Sequence, residues 1–478
     1  MTDPTPFRFN QNLPVEDCEL GQLFASLEPY DNIAIGVSGG ADSMALMHLL
    51  ARWQRALDHR GERTANILVM TVDHGLRAAS RSEAEWVGEQ AQLLGFDHIT
   101  LQWLGRKPET GVQDAARRIR YELMIGASLE ADCGALVVAH HAEDQAETLL
   151  MRLARGSGLD GLAGMSLVSF RDGIALHRPF LDISKTRLKA SLEANDVQWI
   201  DDPSNEDSSY ERVRLRKVMA LLEPLGVSQG ALARSASRLI RARQALDGLT
   251  RFAIDDLVNC HDGAYGEIDA VGFFALPFEI RLRLVSKMIG GFGGRMRAPQ
   301  LSKLENALTA LDLAAGASET YSGSLGGALV RYDGRRNNDG CIFIFREPNR
   351  GDIETLPLKP GREPLMWDKR FWVSLAPDIA AGSDLTIGAL GEEGVHFLRK
   401  REWKMSDMPR EALLALPAFK KRDLIVGVPH LDYWSDEATS LVVTPDAPVK
   451  PDSGEEVVAD LSARLAVVEF ISGNISAG

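Results

Sequence analysis

The chain has 478 residues, of which 45% are hydrophobic and 25% charged, as expected for a globular protein of two to four domains. The sequence contains no apolar run of about 18 residues and no secretory leader, so we predict a cytoplasmic protein without a membrane partner. The net charge of −14 excludes a uniformly basic surface, and any nucleic acid must therefore bind through local basic patches.

Strands and helices alternate in the first third of the chain. Four apolar runs have the length and composition of buried strands, and they cover 32–37, 66–72, 98–104 and 135–140. Apolar residues at helical spacing predict helices at 43–57 and 80–94. This alternation predicts an α/β fold with a doubly wound parallel sheet, in which ligands bind beyond the carboxyl ends of the strands.

The remainder of the chain changes character twice. Residues 225–316 show mostly helical spacing, and the runs "GALVRYDG" and "CIFIFREP" then look like a β-hairpin. A polar, proline-containing stretch at 347–364 is the best linker candidate. We therefore predict a catalytic domain at 1–222, a mostly helical domain at 223–350 that ends in the hairpin, and a small β-rich domain at 365–478.

The first predicted strand runs into the loop Ser38-Gly39-Gly40-Ala41-Asp42-Ser43. Glycines allow a close approach of the backbone to a ligand, and the following helix points its free N–H groups at the loop, which predicts a phosphate site. The Asp42 carboxylate would repel a phosphate unless a cation lay between them, so we expect Mg²⁺ to bridge the two. The alternative is that Asp42 or Ser43 only caps the helix.

Polar residues also follow the second predicted strand. Asp73 and His74 lie there, and we expect them to contact an adenosine, although a simple turn is the alternative. In the next helix, Arg117, Arg120 and Tyr121 share a face. The two arginines could hold phosphates or RNA, or they could belong to a solvated, ion-paired face.

Histidines and acids cluster after the fourth predicted strand. They are His140, His141, Glu143, Asp144 and Glu147. The pattern is not H-E-x-x-H, so zinc has no support. A carboxylate at this edge would face the glycine-rich loop and could accept the proton of an attacking amine or orient that amine. The alternative is that these acids only stabilise the first turn of a helix.

A basic segment, "DDPSNEDSSYERVRLRKVM", precedes the helical region. It contains Asn205, Arg212, Arg214 and Arg216. Arginines that alternate with apolar residues could form a phosphate or RNA rim, and ordinary surface charge is the alternative.

The glycine-rich loop is neither a Walker-A loop nor a dinucleotide loop, because G-x-x-x-x-G-K-S/T is absent and no G-x-G-x-x-G follows the first strand. The string S-G-G-x-D-S instead resembles the PP-loop of ATP pyrophosphatases. With "VDHGLR", "DAARRIRY", "AHHAEDQAET", "RGSGLDGLAG", "RPFL" and "DDPSNEDSSYERVRLR" in this order, residues 30–220 resemble the tRNA(Ile)-lysidine synthetases.

The resemblance implies a specific reaction. Such enzymes use ATP to adenylate C2 of the wobble cytidine in a CAU anticodon, and the ε-amine of free L-lysine then displaces AMP. By the resemblance, the loop from Ser38 to Ser43 would hold ATP, and Asp42 would act with Mg²⁺. Asp144 would be the catalytic carboxylate near the lysine amine, and Arg212 would lie near the activated nucleotide.

Further residues in the matched motifs are expected to bind substrate, and they are Arg117, His140, His141, Glu147 and Asn205. The chain departs from the family at two positions. Glu143 stands where the family often has aspartate, and Val213 stands where it usually has asparagine, so the roles of these two positions stay open.

Basic patches fit a tRNA partner. Arg234, Arg238 and Arg241 lie on one helix face, and "FLRKREWK" at 397–404 interleaves aromatic and basic side chains, although each could be a solvated face. The alternatives to lysidine synthesis are a tRNA 2-thiolase, which the lack of any Cys-x-x-Cys pair disfavours, and a non-catalytic RNA-binding protein. The oligomeric state stays open, with a dimer as one option.

Overall fold

The computed structural model describes residues 13–75, 80–105, 107–108, 110–201, 211–295, 299–334, 340–348, 353–359, 364–375, 384–405, 408–436 and 466–470. For 113–114, 211–213 and 466–470 only the backbone is described. The chain divides into two compact units, Met1–Arg243 and Gln244–Gly478. In the described part of the chain, no helix has both the length and the hydropathy needed to cross a bilayer.

The first unit is built on one six-stranded sheet. Its strands are β1 Asn32–Gly36, β2 Asn66–Asp73, β3 Asp97–Gln102, β4 Ala135–Val137, β5 Val168–Arg171 and β6 Ile174–His177. Its helices are α1 Asp17–Phe24, α2 Ala41–His59, α3 Ser80–Leu93, α4 Val112–Glu130, α5 Ala142–Ala154, α6 Leu159–Leu162, α7 Lys185–Glu193 and α8 Glu211–Leu222. Helix α9, Gln229–Leu257, spans the unit boundary.

The sheet order is β3-β2-β1-β4-β6-β5, and all neighbours are parallel except β5 and β6. Alternate residues of β1 enter different cores, because successive side chains of a strand point to opposite faces. Ile33 and Ile35 pack in the same cluster as Trp53 of α2, whereas Ala34 packs with Tyr121 of α4. Both faces are therefore covered, and the predicted doubly wound fold is confirmed.

The chain leaves β1 toward β2 on one side and returns to β4 on the other side of β1. This reversal opens a crevice at the carboxyl ends of β1 and β4, which is the usual ligand site of such sheets. Strand β4 ends at Val137 rather than at 140 as predicted, and the N–H of Val138 donates to the carbonyl of His177. His140 and His141 therefore lie in the loop, at the edge of the crevice.

The second unit combines helices with antiparallel sheets. Its helices are α10 Ala270–Ala275, α11 Phe278–Phe292, α12 Leu301–Gly316, α13 Gly391–Lys400 and α14 Arg410–Leu414. Its strands are β7 Val258–His261, β8 Tyr265–Asp269, β9 Tyr321–Leu325, β10 Ala328–Asp333, β11 Cys341–Arg346, β12 Leu356–Pro357, β13 Leu365–Trp367, β14 Phe371–Leu375, β15 Leu385–Ala389, β16 Pro417–Lys421, β17 Leu424–Val428, β18 Tyr433–Trp434 and β19 Ala466–Phe470. The three sheets have the orders β7-β8-β11-β10-β9, β12-β15-β16-β17-β18 and β13-β14-β19.

The predicted hairpin is confirmed, since β10 pairs with β11 from Ala328↔Arg346 to Asp333↔Cys341. A second hairpin, β7–β8, lies where the sequence showed mostly helical spacing. Its turn has φ of 46° at Asp262 and 73° at Gly263, and positive φ at both positions is typical of type I′ hairpin turns. The domain boundaries stay a prediction.

Candidate active site

The loop after β1 is organised by two serines and one glycine. The N–H of Ser38 donates to Ser43 Oγ over 3.1 Å, and Ser43 Oγ donates to the carbonyl of Gly40 over 2.9 Å. Gly39 has φ of 84°, and a Cβ there would lie 2.8 Å from Ile200 Cδ1. The left-handed conformation favours glycine at this position, and the result is a tight turn that leads directly into Ala41, the first residue of α2.

Asp42 meets two cationic side chains in the crevice. Its Oδ2 lies 3.5 Å from His141 Nε2 and 3.4 Å from Lys185 Nζ. Burial alone would raise the pKa of Asp42, but His141 and Lys185 outweigh it and hold the pKa below its ordinary value. The second oxygen, Oδ1, is buried without a hydrogen-bond partner among the described residues. Asp42 is therefore ionised, with one oxygen in contact with two cations and the other buried without a described partner.

His141 lies among three carboxylates. Its Nε2 is also 3.6 Å from Asp144 Oδ2, and its Nδ1 is 2.9 Å from Glu143 Oε2, although the latter contact falls outside hydrogen-bond geometry. Burial opposes a charge on the ring, but Asp42 and Glu143 raise the pKa of His141 to about 10. The ring is thus an imidazolium at neutral pH. The backbone N–H of His141 donates to Asp144 Oδ2 over 3.1 Å, which fixes that carboxylate at the start of α5.

Lys185 is a residue of the site that was not predicted from the sequence, and it is bound by Glu143, which was predicted to lie in the site but whose role was left open. Both oxygens of Glu143 accept from the backbone N–H of Lys185, over 3.1 and 2.9 Å. Nearby, the N–H of Ala142 donates to the carbonyl of Ile183 over 3.0 Å, so the starts of α5 and α7 are joined. The strand-end rule would have pointed to Lys185 if it had been applied to the segment after β6.

Glu147 lies one turn further along α5. It is 1% exposed, and its Oε1 accepts from Arg216 Nε over 2.5 Å, whereas Oε2 is buried without a partner in the described part of the chain. Arg216 thus forms an ion pair that joins α5 to α8, although the sequence interpretation placed it on a phosphate or RNA rim. Arg212 lies on the same helix with only its backbone described, and Asn205 lies outside the described residues.

His140 and the arginines of α4 form the next part of the crevice. Burial and the nearby arginines hold the pKa of His140 well below its ordinary value, so the ring is neutral. Arg117 Nη2 donates to His140 Nε2 over 3.3 Å, which places the ring proton on Nδ1. Arg117 and Arg120 lie 5.6 and 5.7 Å from the Tyr121 ring, so the predicted common face exists and lies beside His140.

Asp73 and His74 follow β2, as predicted. Asp73 Oδ1 accepts from the N–H of Gly75 over 2.8 Å, which is the turn that the sequence allowed as the alternative. His74 packs edge-on against Trp103, with ring centroids 6.0 Å apart, and burial lowers its pKa. Its Nδ1 has no partner among the described residues. A contact of either residue with adenosine stays a prediction.

A magnesium ion fits this site only if most of its ligands come from outside the protein. Within the described residues, no three His, Cys, Asp or Glu side chains are arranged to hold a metal. The buried Oδ1 of Asp42 supplies one hard oxygen, and Mg²⁺ commonly takes one or two carboxylates together with substrate phosphates and waters. The donor set thus suits a magnesium ion that arrives with a phosphorylated substrate.

Comparison with known proteins identifies the family. Residues 14–222 match the PP-loop domain. The tRNA(Ile)-lysidine synthase of Ruegeria pomeroyi is 39% identical over 404 residues, which cover 84% of this chain and 90% of that protein. The tRNA(Ile)-lysidine synthase of Bradyrhizobium diazoefficiens is 43% identical and is matched over 67% of this chain and 90% of its own length.

Among solved structures, the U34-tRNA thiolase NcsA of Methanococcus maripaludis is 16% identical. It matches 47% of this chain and 78% of its own length with a TM-score of 0.40, which is too low to bear on function. The curated relatives, in contrast, match along most of their length and share more than a third of their residues with the chain. The chain therefore belongs to the tRNA(Ile)-lysidine synthase family.

Proposed function

We propose that this protein ligates free L-lysine to C2 of the wobble cytidine in an isoleucine tRNA with a CAU anticodon. The PP-loop domain binds ATP and the family acts on tRNA. The observation that carries the finer assignment is the meeting of two strand ends, which places Asp42 and Asp144 within 3.6 Å of the same His141 ring atom. Lysidine pairs with A, so the modified tRNA would read AUA.

The first step activates the cytidine. The phosphates of ATP lie against the loop from Ser38 to Ser43, where the free N–H groups of α2 and the helix dipole favour anions. The C2 carbonyl oxygen attacks the α phosphorus, the bond from that phosphorus to the bridging oxygen breaks, and pyrophosphate leaves. Asp42 would hold a magnesium ion that neutralises phosphate charge. Arg212 would lie near the activated nucleotide.

The second step transfers lysine. The ε-amine attacks C2, the C2–oxygen bond breaks, and AMP leaves. Asp144 accepts the amine proton, because its carboxylate is fixed in the crevice by the N–H of His141 and is only 8% exposed. Substrate contacts are proposed for Arg117, His140, His141, Glu147 and Asn205, and adenosine contacts for Asp73 and His74.

The tRNA body would contact basic side chains outside the crevice. Arg234, Arg238 and Arg241 are exposed on α9. In the segment 397–404, the indole of Trp403 donates to the carbonyl of Leu431 over 3.0 Å and packs into a core, so only the basic side chains there are proposed to bind RNA. The proposed reaction belongs to the cytoplasm, where tRNA is modified.

Radiolabelled lysine provides the test. The protein is incubated with ATP, Mg²⁺, bulk tRNA and the label, with ATP omitted in the control, and the labelled tRNA is then identified. Label in a CAU-anticodon isoleucine tRNA supports the proposal. Pyrophosphate release without lysine transfer would indicate another PP-loop chemistry, such as thiolation, and no ATP cleavage would indicate a non-catalytic RNA-binding protein.

A further inference from the structure

Lys185 is the first residue of α7 and faces the PP-loop from the segment after β6. We propose that Lys185 binds the pyrophosphate half of ATP and compensates the negative charge that develops there as pyrophosphate leaves. The inference rests on the proposed function only in requiring that ATP is cleaved between its α and β phosphates.

The side chain of Lys185 is placed to reach that charge. Its Nζ lies 3.4 Å from Asp42 Oδ2, and Asp42 lies in the first turn of α2, beside the loop that would hold the phosphates. The side chain is 41% exposed, so the protein does not enclose it at this position. A flexible four-carbon stem can carry the ammonium from Asp42 to a phosphate oxygen without movement of the backbone.

Lys185 is not the only cation that compensates the charge of the Asp42 carboxylate. His141 also contacts Oδ2 of Asp42 as an imidazolium, so this oxygen would keep a cationic neighbour if Lys185 moved away. A carboxylate with two cationic neighbours can thus give up one of them to an incoming phosphate. We interpret the contact with Asp42 as the position that the Lys185 side chain takes before a phosphate binds.

Hydrogen bonds fix the backbone of Lys185 at the start of α7. Glu143 accepts from its N–H with both carboxylate oxygens, and Ser184 caps α7 by accepting from the N–H of Arg187 over 3.3 Å. Arg187 is 7% exposed and donates to Glu19 Oε2 over 2.6 Å. The start of α7 is therefore fixed, and only the flexible side chain of Lys185 would have to move for its ammonium to reach a phosphate. Glu143 is a positioning residue in this arrangement.

Charge explains why a lysine is useful at this point. Pyrophosphate carries several negative charges, and the loop already contains the Asp42 carboxylate. A lysine ammonium is a compact point charge that suits phosphate oxygens. A cation that meets the leaving group as its charge grows stabilises the transition state more than the ground state.

The affinities for pyrophosphate and for AMP, the two products of ATP cleavage, distinguish the role of Lys185 from that of the loop. Calorimetry with pyrophosphate and with AMP, both in the presence of Mg²⁺, is carried out on the full-length wild type and on Lys185→Met, Lys185→Arg and Lys189→Met. Lys189 is the matched control, because it lies one turn further along α7 and its Nζ contacts the Trp199 ring at 5.6 Å instead of the loop.

We expect Lys185→Met to weaken pyrophosphate binding about 10- to 100-fold, as for the loss of a charge-assisted hydrogen bond. AMP binding should stay unchanged, which also shows that the variant is folded. Lys185→Arg should recover most of the pyrophosphate affinity, and Lys189→Met should resemble the wild type.

Equal pyrophosphate affinity of Lys185→Met and the wild type would overturn the inference, as would a parallel loss of AMP affinity. A wild type that shows no pyrophosphate binding would also overturn it. These outcomes are independent of lysine transfer. A protein that binds pyrophosphate through Lys185 but fails to label tRNA would contradict the proposed function and leave this inference standing.

Discussion

Asp42 shows how a residue that looks misplaced in the sequence is accommodated by the fold. A carboxylate in a phosphate loop requires a nearby cation, and from the sequence we expected only Mg²⁺. The structure adds two cations from the protein itself, His141 and Lys185, at 3.5 and 3.4 Å. Their presence explains the ionised carboxylate before any substrate binds. The proposed magnesium ion would then bind the other oxygen of Asp42, Oδ1.

The charge on His141 makes stability depend on pH. Its pKa is about 10 in the folded protein and about 6.5 in an unfolded chain, so the folded state alone holds the proton between these values. The contribution of His141 to stability is therefore complete below about pH 6.5 and is lost as the pH rises toward 10. We expect the difference in unfolding free energy between the wild type and His141→Gln to shrink over this range.

Urea unfolding at about pH 6 and about pH 9 measures that difference. His59→Gln is the control, because His59 is an exposed histidine on α2. A difference between the wild type and His141→Gln that stays constant with pH, or that grows as the pH rises, would show that His141 is not held as an imidazolium.

The site residues that follow β1 and β4 could be predicted, because hydrophobic strands are visible in the sequence and their carboxyl ends meet at one edge. Their partners were harder to find. Glu143 and Lys185 are 42 residues apart, and Glu147 and Arg216 are 69 residues apart. No local pattern encodes such pairings, since they depend on which segments the folded sheet brings together.

The ion pair between Glu147 and Arg216 links α5 to α8. Glu147 is fully buried while the Arg216 side chain is 39% exposed, so removal of the arginine leaves a buried carboxylate without its partner. We expect Arg216→Met to destabilise the first unit by about 1–3 kcal/mol. The double variant Glu147→Gln/Arg216→Met should recover part of this loss, because the buried charge is then gone.

Denaturant titration of the single and double variants measures the coupling. Lys217→Met is the matched control, since Lys217 is exposed on the same helix. If Arg216→Met were no less stable than Lys217→Met, the ion pair would contribute nothing to the docking of α8.

Among elements, apolar runs and helical spacing predicted β1 to β4, α2 and α3 within a few residues, whereas β5 and β6 were not predicted. The hairpin of β7 and β8 was missed because it is short and follows directly after the long helix α9. Its Asp262-Gly263 turn was nevertheless visible in the sequence, since Asp-Gly is a strong signal for a type I′ turn. Turn chemistry was the better guide at this position than helical spacing.

At the scale of the whole molecule, one core in the second unit joins segments that the sequence assigned to different domains. Tyr265, Phe343 and Phe345 pack in the same cluster as Leu398 and Val428. Deletion of 365–478 would uncover these aromatic side chains. We therefore expect the truncated protein to lose cooperative unfolding of the second unit and to aggregate, as followed by thermal circular dichroism and by light scattering.

A truncated protein that melts cooperatively and stays monomeric would contradict this expectation and support 365–478 as a separate domain.

Charge reversal tests tRNA recognition without deleting part of the chain. Arg399 and Lys400 are exposed at the end of α13, and Arg399→Glu/Lys400→Glu should weaken tRNA binding most at low salt if this surface contacts RNA. Unchanged binding would exclude the surface from the interface.

Lysine transfer by Asp144→Asn is the decisive measurement for the proposed mechanism, since Asp144 is the proposed acceptor of the amine proton. Asparagine keeps the shape and the acceptor for the N–H of His141 but cannot take up the proton. We expect lysine transfer to isoleucine tRNA to fall by at least about 100-fold in Asp144→Asn, while Asp97→Asn at an exposed position retains it. Wild-type transfer by Asp144→Asn would contradict the proposed mechanism.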